Sequence, residues 1–224
     1  MEGVIMLENK VFDYRTLRLI MGIIAFFMPI AVVIFSQTAL TSISASYYSD
    51  ARDIFVGSLF IVGAFLLAYN GHATSQAITS KIAAIAAFCV AYFPTSCEGC
   101  ESNVESYIHY VSAITLFSIL AFFCFVFFRK KIKQGKGKAL LRSRVYFACG
   151  SVMVACILIL ILVFLLMTLD VMSEELVDKL LIIYLGEWIA LTAFGVAWMV
   201  AGKSFRFIVE EDNLNHPIKD FLHR

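Results

Sequence analysis

The chain has 224 residues, 61% of them hydrophobic and only 16% charged, with a formal net charge of +1. Soluble domains run at roughly 45–50% apolar and about 25% charged, so this composition argues against a water-soluble fold. The near-neutral total says nothing in favour of nucleic acid, and no nucleic-acid partner is expected.

The apolar residues fall into six blocks, each near the ~20 residues that one membrane-crossing helix requires. They are Leu17–Ser36, Asp53–Tyr69, Ile78–Phe93, Ser106–Phe128, Val145–Leu169 and Leu181–Ala201. No connecting segment is long enough for a second folded unit. The expected fold is all-α, a polytopic membrane protein built as a six-transmembrane-helix bundle, with residues 1–224 in a single transmembrane domain.

The first block is too long for the core of a signal peptide, and Ser42, Ser44 and Ala45 make a poor cleavage site, so it reads as a retained helix. Pro29 near its middle is tolerated because neighbouring helices can satisfy the freed carbonyl. A polar stretch follows, SISASYYSDARDIFVG from Ser42 to Gly57. There Asp50 has the place of an N-cap and Asp53 that of a capping-box acid for the second helix. Gly57 and Ala64 share a face with Asp53 and would admit a close helix neighbour. The third helix ends at Pro94, before the acidic loop TSCEGCESNVES. Ser102 and Glu105 form an S-x-x-E capping box for the fourth helix, where Glu105, His109 and Ser112 share one face. The fifth helix is aliphatic and carries no chemistry. The sixth has a stripe of Gly186, Ala190, Ala193 and Ala197, a packing seam of small residues that also gives a route to a homo-oligomer.

Orientation follows from the basic residues, which gather in cytoplasmic loops. Lys10, Arg15, Arg18, Lys81, the eight from Arg129 to Arg144, and Lys203, Arg206, Lys219 and Arg224 lie on one side; only Arg52 and Lys179 lie on the other. Both termini are therefore expected in the cytoplasm, in a cytoplasmic (inner) or plasma membrane. The run from Arg129 to Lys138 serves as a topology determinant, with anionic head groups a second use.

Glu187 is the most informative single residue, because an ionisable group inside hydrocarbon costs roughly 2.5–3.5 kcal/mol on insertion scales and turns inward to find a partner. Its ionisable candidates at similar depth are His109 and the Arg52–Asp53 pair. The outer ends of four helices are thus expected to enclose one polar pocket of Ser42 or Ser44, Tyr48, Arg52, Asp53, His109 and Glu187. Each residue also has a purely structural reading: helix capping for the aspartates, hydrogen bonding for His109, helix tying for Glu187. Cys97 and Cys100 could pair as a disulfide in an oxidising compartment, or join His109 and Glu105 around a metal. A second pair of strong ligands is missing, so neither metal nor cofactor is expected. Paired haem histidines, a phosphate-binding loop and a serine-hydrolase elbow are all absent.

With SIS before the second helix, His109 opening the fourth and GEW early in the sixth, the outline resembles the damage-regulated autophagy modulator proteins. These are related to the membrane proteins that remodel GPI-anchor lipids. It resembles more closely the compact prokaryotic six-helix membrane proteins of similar outline. The resemblance implies signature positions at Ser42, Ser44, Asp53, His109, Glu187 and Trp188, and lipid-related or regulatory work. Three functions stay open. One is non-enzymatic binding or organising of membrane lipids in the outer pocket. The second is a lipid hydrolase or transferase using His109 with Asp53 or Glu187 as acid and base. The third is a small-solute carrier with Glu187 as a protonatable switch.

Overall fold

An apolar segment that cannot reach water must satisfy its own backbone N–H and C=O groups, and the α-helix does so within one segment. The computed structural model describes residues 14–71, 73–97, 103–129, 137–203 and 205, and these contain helices and no strand. In chain order the helices are α1 (Tyr14–Phe35), α2 (Arg52–Ala68), α3 (Thr74–Tyr92), α4 (Val104–Phe122), α5 (Lys138–Thr168), α6 (Glu174–Lys179) and α7 (Ile182–Ala201). A 3-10 turn, Ser44–Tyr48, sits between α1 and α2, and α4 continues through a π-helical stretch, Phe123–Phe128.

Among the described residues, five helices are long and apolar enough to cross a membrane: α1, α3, α4 with its π-helical extension, α5 and α7. The sixth expected span, α2, has 17 residues. At 1.5 Å per residue it reaches about 26 Å, short of the ~30 Å hydrocarbon core. The six long helices run up and down, each packed on its chain neighbour, and α7 closes the ring by packing on both α5 and α1. The interior holds two apolar clusters, one around Met21, Leu120 and Trp198 and the other around Val32, Ile43 and Phe55. Large apolar side chains also point outward, among them Leu158, Ile159, Leu162 and Leu165 on α5 and Ile34 and Phe35 on α1. An exterior this apolar is stable against lipid and not against water.

Several local expectations need correction. Asp50 does not cap α2; the Ser49 hydroxyl accepts the Ala51 N–H at 3.1 Å instead. The capping box of α4 lies one residue later than Ser102–Glu105. Asn103 accepts the Ser106 N–H and the Ser106 hydroxyl accepts the Asn103 N–H, each at 2.9 Å; Ser102 lies outside the described residues. Gly57 admits no neighbour, since a Cβ there would meet nothing within 4 Å. The close approach is between α1 and α7, where a Cβ on Gly195 would lie 2.8 Å from the Gly22 carbonyl oxygen. Of the predicted stripe, Ala190, Ala193 and Ala197 are buried in the bundle, and Gly186 faces Leu160 of α5. α5 begins at Lys138 and not Val145. A charge marks the edge of an apolar block in sequence, yet Arg142 is buried inside the helix. The short α6 was not expected; the Ser173 hydroxyl accepts the Leu176 N–H at its start.

Candidate polar site at the Glu187 end

The serines between α1 and α2 build the turn that organises this end, because a short hydroxyl side chain can bond backbone groups two or three residues away. The Ser42 hydroxyl accepts the Ala45 N–H at 2.8 Å. Ser46 and Ser49 donate back to the Ile43 and Ser46 carbonyls at 2.6 and 3.0 Å. This winds Ser44–Tyr48 tightly and turns Ile43 and Ser46 into the bundle, both essentially inaccessible.

Ser44 then faces α7. Its backbone N–H donates to Glu187 Oε2 at 3.0 Å, and its hydroxyl donates to Oε1 at 2.9 Å. Both carboxylate oxygens are thus engaged by one residue, in the fork that a carboxylate accepts well. Trp188 packs its ring on Tyr184 with centroids 5.5 Å apart, beside the outer apolar cluster.

The rest of the predicted set goes elsewhere. The Tyr48 hydroxyl donates to the Thr95 carbonyl at 2.7 Å. Burial, then the neighbouring Tyr47, Glu105 and Tyr110, push the Tyr48 phenol above its ordinary value. Tyr110 holds the same loop through the hydroxyls of Thr95 and Ser96. His109 is buried and bonds through Nδ1 to the Phe93 carbonyl at 2.8 Å. A carbonyl only accepts, so Nδ1 carries the hydrogen. Arg52 donates to the Tyr47 hydroxyl at 2.9 Å and stacks over that ring at 4.3 Å. Asp53 is an exposed acid in the first turn of α2, where the helix dipole favours it.

Of the pocket expected from the sequence, the structure brings Ser44 and Glu187 into contact, while Tyr48, His109 and Arg52 bond other groups. Glu187 and Ser44 make one network; Tyr48, His109 and the Phe93–Ser96 loop make another; the 3-10 turn joins them. No hydrogen bond or ion pair links His109 to Asp53 or Glu187.

One open space lies beside this cap. A cleft of about 380 Å³ runs between the ends of α2, α3 and α4. Arg52, Tyr47 and Glu105 line it together with Val56 and Phe60 of α2, and the end of α3 from Ala91 to Pro94 supplies the facing wall. Comparison with known proteins adds nothing to this geometry: no family model, no curated protein and no solved structure matches the chain.

Cys97 is disulfide-bonded, which leaves it no thiolate for metal or redox work. Among the described residues, no three His, Cys, Asp or Glu side chains converge where a metal ion could sit. Sequence reasoning missed Tyr47, Thr95 and Tyr110. Their roles run through hydroxyls, a ring face and a backbone carbonyl, which leave no mark in residue spacing. The Y-Y pair at Tyr47–Tyr48, five residues before Arg52, was the available signal.

Proposed function

We propose that the chain is a six-span membrane protein, both termini cytoplasmic, that binds phospholipid without catalysis in the Arg52 cleft. The observation that carries the reading is the cleft itself. It pairs a charged rim, Arg52 and Glu105, with an apolar wall, Val56 and Phe60. That is the layout a head group and its acyl chain require. α2 serves as the sixth span because charged residues precede its apolar run, and it packs between α1 and α3. The disulfide at Cys97 supports placing this end in an oxidising compartment. The resemblance to proteins of lipid-related work points the same way.

The test is a photoreactive phenylalanine analogue at Phe60, compared with the same group at Leu158 on the lipid-exposed face of α5. Lipid adducts enriched at position 60 and reduced by Arg52→Ala are expected. Equal adducts at both positions would mean that position 60 meets only bulk lipid.

A further inference from the structure

Arg52 and Glu105 line one cleft and carry opposite charges, yet no ion pair joins them. Arg52 is engaged by Tyr47, through one hydrogen bond and its ring face; a guanidinium has five N–H donors, so donors remain. Glu105, in the first turn of α4, is exposed and has no hydrogen bond or ion pair with any other described residue. Two unlike charges held apart across one opening fit a molecule that carries both signs.

We propose that the cleft's occupant is a zwitterionic phospholipid, its phosphate on Arg52 and its ammonium on Glu105. This rests on the lipid-binding reading above. Arg52, Val56 and Phe60 recur at every fourth position, so they follow one another along a single helix face. A phosphate on Arg52 would leave its acyl chain running down Val56 and Phe60 toward the membrane interior. Tyr92 and Phe93, on the facing wall, offer ring faces of the kind that attract an ammonium group.

The surrounding field supplies a second, independent argument. The other described ionisable groups outside the bundle at this end are Asp50, Asp53, Asp170, Glu174, Glu175 and Asp178, against Lys179 alone. A lipid of net negative charge is repelled by such a surface; one whose phosphate travels with its own cation is not. The apolar wall selects the lipid over a free phosphorylated amine.

The experiment is native mass spectrometry of the purified full chain, titrated with phosphatidylethanolamine, phosphatidylcholine and phosphatidylglycerol bearing identical acyl chains. The two zwitterionic lipids should bind about fivefold more tightly than the anionic one, the ratio that one exposed ion pair supports. Glu105→Gln should reduce that preference to the part set by the surrounding carboxylates while binding persists, and Arg52→Gln should weaken all three. Both positions are exposed, so the variants should fold. Equal affinities in the native chain, or a preference unchanged in Glu105→Gln, overturn the proposal while lipid binding stands. Soluble phosphoethanolamine displacing the lipid as well as the intact phospholipid does would overturn the lipid as the source of the head group. Failure of all three lipids to bind would remove the underlying reading as well.

Discussion

At Glu187 the decisive quantity is how many donors its carboxylate satisfies. Removing it leaves the Ser44 N–H and O–H without acceptors in a partly buried place, at a cost of roughly 1–3 kcal/mol for an orphaned group. Glu187→Ala should therefore lower the thermal unfolding midpoint in detergent clearly. Glu187→Gln should fall close to the native protein, because its amide oxygen accepts the Ser44 N–H and its NH₂ can donate to the Ser44 oxygen. A Gln variant as unstable as the Ala variant would show that the negative charge, and not the hydrogen bonding, holds the turn. That Glu187 turns inward was legible from its depth in an apolar helix. The ionisable groups expected at the same depth do not bond it; Ser44, also expected in that pocket, does so through its N–H and its hydroxyl. His109 went the same way, its ring nitrogen taken by the Phe93 carbonyl.

Among the elements, the α1–α7 pair decides how tightly the ring closes. Lipid tails are as apolar as the helices, so helix association in a membrane depends on close packing more than on the hydrophobic effect. Gly195 provides that packing: a Cβ there would stand 2.8 Å from the Gly22 oxygen and 2.9 Å from the Phe26 nitrogen, both backbone atoms. Gly195→Ala should thus force the helices apart and cost about 1–3 kcal/mol. Gly57→Ala, which meets open space, should cost nothing. Equal midpoints for the two variants in a thermal unfolding series would remove the seam. The sequence displayed the small-residue stripe beginning at Gly186, but could not say that Gly195, off that stripe, makes the contact. Only the facing glycine on α1 identifies it.

For the molecule as a whole, charge is sorted by end. The eight described carboxylates all lie at the Glu187 end. At the opposite end lie Arg15, Arg18, Lys81, Arg129, Lys138, Arg142, Arg144 and Lys203. Under the proposed orientation, a membrane-impermeant thiol reagent should label Val104→Cys on intact cells and reach Gly135→Cys only after permeabilisation. The reverse pattern would invert the topology. This sorting was the most legible feature of the chain, because it depends only on residue type and order. What it concealed is that some of these cations also hold the bundle. Arg18 donates to the Tyr69 hydroxyl and to the Ala201 carbonyl, and its guanidinium lies over the Tyr69 and Phe128 rings. It ties the ends of α1, α2, α4 and α7 together, whereas the sequence presented it as one more cytoplasmic positive charge.

The bond between Ser44 and Glu187 crosses 143 positions of the chain, and the ring is closed by its last long helix. Translation proceeds at roughly 5–20 residues per second, so Ser44 is made about 7–30 s before Glu187. During that interval the turn after α1 lacks its Glu187 acceptor, and the glycine face of α1 has no α7 to cover it. Neither can be completed from the first half of the chain. The birth of this protein therefore has a late closing moment, when the arrival of α7 covers α1 and supplies the carboxylate that Ser44 bonds.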